Sequence, residues 1–332
     1  MWDALLRRRA SPYADASARL SSGVRAVSNP LVTVVTIVKD VVERDRVETL
    51  KQCIESVRRQ SYPNIEHLII DGGSDDETLA ILAQYDTEGL LKICSFPDKG
   101  VWEAMNTGAK LASGEFINFL NSDDYFYNTD AIKLAVEMMT KEGADWFFSG
   151  ATIIRADGSR YTFPTSIYGV FSCMGIVHQT VLVRKEVLKA ADPFTTPYRT
   201  KENYFFMLLI MNGLRYSYFP GSLVHYREGG FSAYEYGGSN LENTKNDFAD
   251  YFHELAGKRW CMSRSDCYDM FGWQTFTHKG LKHSVLLGLK LQLAGLRFDY
   301  FKRLLISFAW HQRAMKRIAH RLLPLIFGHR AL

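Results

Sequence analysis

Several short polar clusters in this chain carry side chains able to do chemistry, and most of them end an apolar run. Asn121-Ser122-Asp123-Asp124 directly follows Phe116 to Leu120. Two adjacent carboxylates repel each other unless a cation lies near them. Mg²⁺ and Mn²⁺ take carboxylate oxygens and are commonly shared with substrate phosphates. A metal on Asp123 or Asp124 would neutralise a departing diphosphate, and the same residues would also suit a helix start. Asp71-Gly72-Gly73-Ser74-Asp75-Asp76 follows Ile65 to Ile70. Its glycines let backbone approach a ligand, Asp71 can accept a hydrogen bond from a nucleobase, and Ser74 or Asp76 can cap the next helix. Further on, His178-Gln179 precedes a short apolar run, and His225-Tyr226-Arg227 offers a guanidinium that can bind phosphate through paired N–H groups. A dinucleotide site would need G-x-G-x-x-G after the first strand. The residues there are Lys39-Asp40-Val41-Val42, which disfavours a nicotinamide or flavin enzyme.

The elements that must position these clusters follow from hydrophobic pattern. Leu31 to Val38 is a continuous β-branched run, as for a strand buried on both faces. Val47 to Gln60 reads as a helix with Leu50, Ile54 and Val57 on one side. Strands at Ile65 to Ile70, Leu91 to Phe96 and Phe116 to Leu120 alternate with helices at Glu77 to Tyr85 and Trp102 to Ala112. Such alternation predicts βαβ units and a parallel sheet. The polar clusters then fall at the carboxyl ends of the strands, where open α/β sheets bind ligands. Past Asp124 the pattern predicts helices over 131–141, Lys185 to Ala190 and Tyr204 to Met211, with strands over 145–154, Val181 to Val183 and Tyr216 to Phe219.

The stretches VTVVTIVKD, SVRRQSYPNIEHLIIDGGSDDET, PDKGVWEAMNTGAKLASGEFINFLNSDD and HQTVLVRKEVL resemble family 2 glycosyltransferases of the GT-A fold, a Rossmann-like, mostly parallel α/β sheet flanked by helices. The similarity is strongest to bacterial members that build exopolysaccharide, capsule or O-antigen, and it runs from about residue 31 to 232. The resemblance implies a donor nucleotide site made of Thr36, Asp40, Asp71, Gly73, Asp98, Gly100, Asn121 and Asp123, with the metal on Asp123 or Asp124. It implies an inverting transfer from a nucleotide-sugar, UDP being the family's commonest base, with Mn²⁺ or Mg²⁺. His178, Gln179, His225 and Arg227 would face the acceptor or the diphosphate. Two positions depart from the pattern. Asn121 stands where the first acid of a D-x-D motif is usual. Relatives place an acid, often as Asp-Tyr, after a segment like Pro197-Tyr198-Arg199-Thr200; matching the tyrosine aligns Asn203 with it, and matching the distance to Gly213 selects Glu202. Asn cannot act as a base, so Glu202 is the expected one.

Composition bounds the rest. The chain has 332 residues, 47% of them hydrophobic and 23% charged, enough for one large α/β domain plus an appendage. Five scattered cysteines suggest reduced thiols in a reducing compartment. The net charge of +4 conceals an asymmetry: from Lys279 onward eleven Lys or Arg face the single acid Asp299, and residues 1–30 hold five Arg against Asp3 and Asp15. The expected organisation is a basic segment at 1–30, a catalytic domain at 31–275 (31–125 for the nucleotide, 126–275 for the acceptor), and a basic amphipathic helical tail at 276–332. Leu281, Val285, Leu286, Leu289, Leu293 and Leu296 share one helical face, flanked by cations, which fits an anionic inner leaflet. No signal peptide is visible, and Val285 to Phe298 is too short and interrupted to span a bilayer, which takes roughly 20 residues. These features predict a cytoplasmic enzyme, peripheral on the inner membrane face, with a glycan or polyprenyl-diphosphate-linked acceptor. Nucleic-acid binding lacks a recognition motif. A sugar nucleotidyltransferase would want a glycine-rich basic loop after the first strand, and a non-catalytic scaffold would rest on Asn121 and Asn203.

Overall fold

The computed structural model describes residues 29–86, 89–97, 99–163, 165, 167, 170, 175–229, 241–257 and 263–270. The basic segment and the tail expected at 276–332 therefore lie outside the described residues, as does Asp98. Among the described residues, no helix is long and apolar enough to cross a membrane. The chain divides into two compact units, with the break after Asp247. The candidate site belongs wholly to the first. Of the second, α7 (Leu241–Phe252) supplies its last turns, where Phe248 meets Tyr251 and Phe252 edge-on and tilted, and α8 (Arg264–Met270) is tied by Arg264 to Asp250.

The first unit is built on β1 (Val32–Val38), α1 (Val47–Arg58), β2 (Ile65–Asp71), α2 (Thr78–Tyr85), β3 (Leu91–Ser95), α3 (Val101–Leu111) and β4 (Phe116–Phe119). β1 pairs in parallel with β2 on one side and β4 on the other, and β2 pairs in parallel with β3. The β-branched run of β1 makes this possible, because alternate residues serve two helices. Val34 and Val38 pack towards α1, meeting Cys53 and Val57 or Leu50 and Ile54. Val35, on the opposite face, lies against Gly108 of α3, where an added Cβ would stand 2.4 Å from Val35 Cγ1. That glycine lets α3 settle onto the sheet.

The second half is mixed. It contains β5 (Tyr125–Phe126), α4 (Ala131–Glu142), β6 (Trp146–Ile154), β7 (Arg160–Phe163), β8 (Leu182–Arg184), α5 (Lys185–Ala191), α6 (Lys201–Met211) and β9 (Tyr216–Arg227). The sheet order is β3-β2-β1-β4-β8-β6-β9-β5, with β7 beside β6. β8 runs antiparallel to β4 and β6, whereas β6 and β9 are parallel. Two elements outrun their sequence patterns. β9 continues to Arg227 through Pro220-Gly221, which reads as a strand stop; the register shifts at Gly150 opposite, and a Cβ there would meet Pro220 O at 3.0 Å. α6 begins three residues before Tyr204, because Lys201-Glu202-Asn203 is a polar first turn without an apolar period.

Chain order reverses between β1 and β4: β1 leads outward to β2 and β3, and β4 opens the other half. Such a switch point leaves a crevice beyond the strand ends.

Candidate active site

A cleft of about 290 Å³ opens at that crevice. Its floor comes from Ile37, Val38 and Lys39 at the end of β1 and from Asn121, Ser122 and Asp123 after β4. Gly100 and Trp102 close one wall at the start of α3, while His178, Glu202 and Arg227 come from the second half. Six of the residues expected from the sequence therefore meet here: Gly100, Asn121, Asp123, His178, Glu202 and Arg227. Lys39, Arg44 and Arg46 also line the cleft; the two arginines carry no sequence signal, since lone cations in an irregular loop have no period. Together with Arg227 they set four cations against the carboxylates Asp123 and Glu202. That balance favours a polyanionic ligand such as a diphosphate.

The two adjacent aspartates differ completely. Asp124 is fully buried; its Oδ2 accepts from Gln179 Nε2 at 2.6 Å and its Oδ1 from the Arg227 backbone N–H at 2.8 Å. Burial pushes its pKa well above the usual carboxylate range, the Asp123 charge adds to this, and the two donors oppose it. Asp124 thus ties the β4–β5 turn to β9 and to the turn at His178–Thr180. Asp123 faces the cleft, its Oδ2 accepting from Arg46 Nη1 at 3.2 Å. Arg227 donates to the Asp123 carbonyl oxygen and to Gln52 Oε1, and its guanidinium lies 5.0 Å over the Tyr125 ring.

Among the described residues no group of three or more His, Cys, Asp or Glu side chains could hold a metal. Mg²⁺ in nucleotide sites is commonly bound through one or two carboxylates and completed by phosphate oxygens and water. The residues fit that arrangement with Asp123 as the protein ligand, and do not fit a cage. Arg46 meets the same oxygen. Arg46→Met is accordingly expected to tighten Mn²⁺ binding to the donor-free protein by up to roughly fivefold, the scale of a half-exposed ion pair, while weakening UDP binding. Paramagnetic titration of Mn²⁺ checks the first effect and calorimetry the second.

Asp98 apart, the other expected residues are not among those lining the cleft, and each has local partners. Thr36 was expected along the nucleotide; instead its hydroxyl is buried 3.0 Å from His67 Nε2, between Val34 and Val38 on the face of β1 that meets α1. The period of two in that strand puts Thr36 on the same face as Val34 and Val38. Burial, helped by the Arg58 charge, lowers the His67 pKa to about 3, so the ring is neutral. Asp71 is fully buried and accepts from Gly73 N, Ser74 N, Ser74 Oγ and Ser95 Oγ, which makes it the organiser of its loop. Gly73 has φ +76° and its Cα hydrogen faces Pro97, 2.9 Å from where a Cβ would stand. Asp40, at φ 50°, ties the loop after β1 to that loop through Ser74 Oγ and Asp75 N. Gln179 is buried on Asp124. His225 is buried with Nδ1 2.6 Å from the Tyr125 hydroxyl and its ring stacked on Tyr127; burial first, then Arg160 and Arg227, lower its pKa. It braces the strand that carries Arg227 and does not reach the cleft.

The two candidates for the base have different surroundings. Glu202 lines the cleft, and its Oε1 lies 3.2 Å from His178 Nδ1. Asn203 turns the other way, buried, with Nδ2 donating to the Val170 carbonyl at 3.1 Å.

A switch-point cleft with Asp123, a cationic rim and Glu202 opposite is what an α/β fold that binds phosphorylated nucleotides would present. Residues 34–207 match the profile of glycosyl transferase family 2, just over half the chain, and the protein belongs to that family. It is a glycosyltransferase, moving sugar from a nucleotide-sugar donor to an acceptor. A PGL/p-HBAD biosynthesis glycosyltransferase of Mycobacterium bovis is 29% identical over 199 residues, 59% of this chain and 74% of the relative. The UDP-Glc:alpha-D-GlcNAc-diphosphoundecaprenol beta-1,3-glucosyltransferase WfgD of Escherichia coli is 30% identical over 167 residues, 49% of this chain and 64% of that protein. Among solved structures, S. aureus TarS 1–349 in complex with UDP-GlcNAc superposes with a TM-score of 0.58 at 16% identity, covering 88% of this chain and 92% of that one. The mannosyltransferase PcManGT of Pyrobaculum calidifontis, in complex with GDP-Man and Mn²⁺, gives 0.52 at 14% identity, over 95% and 88% of the two chains. These two similarities establish the shared fold.

Proposed function

We propose that the protein is an inverting glycosyltransferase of bacterial surface polysaccharide synthesis, using a UDP-sugar and a hydroxyl of a glycan or polyprenyl-diphosphate-linked acceptor. The observation that carries this reading is that Glu202 and Asp123 line one cleft, so a base and a metal-competent carboxylate can act on one donor. Glu202 takes the proton of the acceptor hydroxyl as its oxygen bonds to the anomeric carbon from the face opposite the leaving group. The bond from that carbon to the diphosphate breaks, and the nucleoside diphosphate departs with both electrons. Arg46, Arg44, Lys39 and Arg227 receive its growing charge. A divalent cation, Mn²⁺ or Mg²⁺, held by Asp123 would neutralise the same oxygens. Main-chain groups at Gly100 and the amide of Asn121 line the donor side. The E. coli relative is named for a UDP-sugar and a diphosphoundecaprenol acceptor, which supports both choices. A cytoplasmic, inner-leaflet location rests on the basic, amphipathic sequence after residue 276.

The test is calorimetry of the whole chain with UDP, GDP and dTDP, each with and without Mn²⁺. UDP is expected to bind, and to bind more tightly with Mn²⁺. Binding of GDP or dTDP alone would reassign the base, and a cation-independent affinity would remove the metal from the reading.

A further inference from the structure

We propose that His178 is the positioning residue of the base, and that with Asn121 it couples the base to the donor side of the cleft. The inference rests on the reading of Glu202 as the base. His178 Nδ1 lies 3.2 Å from Glu202 Oε1, and Nε2 lies 3.3 Å from Asn121 Oδ1. The imidazole thus bridges the turn after β4 and the first turn of α6. Both its own side chain and that of Glu202 are about 15% exposed, open enough for an acceptor and closed enough to hold one rotamer.

The support behind the ring is rigid. His178 opens a 3₁₀ turn closed by the Val181 N–H on the His178 carbonyl and the Thr180 N–H on that of Val177. Asn118 of β4 donates to the Gln179 and Val181 carbonyls at 2.9 and 2.8 Å, and Gln179 is locked onto Asp124. A glutamate has three side-chain torsions and, at a helix start, several open rotamers. Holding it in the attacking geometry is worth a large factor, because misplacement by about 1 Å can cost roughly a hundredfold. A proton carried on Nδ1 contributes to that hold.

The same bridge explains why position 121 is an amide. The ring can give a hydrogen to the amide oxygen or, with the amide turned, accept one from its nitrogen, so the contact survives either tautomer. A carboxylate at 121 could only accept. It would compete with Glu202 for the ring's proton and set a second anion beside the base.

Two measurements test this. The first needs no substrate: long-range ¹H–¹⁵N spectra of the imidazoles, with His178 assigned by its loss in His178→Asn. Glu202→Gln is expected to shift the Nδ1 signal and Asn121→Ala the Nε2 signal; no response to either change overturns the bridge. The second is kinetic, with UDP-glucose as probe, water as the acceptor whose proton Glu202 takes, and UDP release as readout, beside Mn²⁺–UDP binding. His178→Ala is expected to lower kcat tenfold to a hundredfold with UDP affinity changed less than about twofold. His178→Asn, whose amide can donate to Glu202 from near the Nδ1 position, is expected to recover most of that loss. A His178→Ala enzyme with unaltered kcat, or one that loses UDP binding in parallel without recovery in His178→Asn, overturns the positioning role. Glu202→Gln with undiminished turnover instead removes the base itself, so the two failures are distinct.

Discussion

Glu202→Gln is expected to lower sugar transfer by a factor of roughly 10²–10⁴, the usual contribution of a positioned general base, while the protein still binds Mn²⁺–UDP. The exchange keeps side-chain length and a hydrogen-bonding oxygen, so the contact with His178 Nδ1 can persist. What disappears is the lone pair able to take a full proton. Glu202 sits in the first turn of α6, which buries Phe205, Phe206, Met207, Leu208 and Leu209 behind it, so the exchange costs the helix only the favourable charge at its N-terminus, roughly 0.3–1 kcal/mol. Transfer rate and nucleotide affinity must therefore separate. Asn203→Asp gives the matching contrast. Asn203 is buried with its amide on the Val170 carbonyl, so a carboxylate there would face an acceptor, and no gain in rate is expected. Equal losses of rate and UDP affinity in Glu202→Gln would make Glu202 a binding residue and move the base elsewhere.

The nucleotide half of the fold was legible because its signals are local. β1 to β4 are largely apolar runs ended by polar or turn-forming residues (Lys39-Asp40, Asp71-Gly72, Pro97 and Asn121), and α1 buries the Leu50, Ile54 and Val57 stripe that its period predicts. The carboxyl-end clusters followed from topology alone. Finer assignments needed tertiary information. Thr36 and Asp71 carry the right chemistry for a ligand, and in the fold each has partners inside the protein, His67 for one and its own loop for the other. Whether a polar side chain at a strand end turns to the crevice or to the next loop is decided by neighbours far along the chain. Arg44 and Arg46 show the converse, ordinary loop cations in sequence that the loop after β1 brings to the cleft. β5, two residues long, and the extension of β9 past Pro220-Gly221 depend on pairing partners and have no periodic signature.

The sequence also left Asp123 and Asp124 equivalent, and substitution is expected to separate them by two unrelated readouts. Asp123→Asn should abolish the part of UDP affinity that depends on Mn²⁺, leaving thermal stability nearly unchanged. Changes to outer-shell partners of bound metals cost roughly 10–100-fold in affinity, and loss of the ligand itself should exceed that. The side chain is partly exposed and its partner Arg46 is half-exposed, so little folding energy rests on it. Asp124→Ala should do the reverse. It leaves the Arg227 N–H and the Gln179 amide buried without their acceptor, at about 1–3 kcal/mol for each unsatisfied group. For a domain of this size each kcal/mol lowers the melting midpoint by roughly 2–4 °C. Donor binding should weaken only as far as Arg227 and the turn after β4 loosen. If Asp123→Asn keeps its Mn²⁺ response while Asp124→Ala loses it in a folded protein, the metal carboxylate is Asp124, and the buried arrangement must open when the donor arrives.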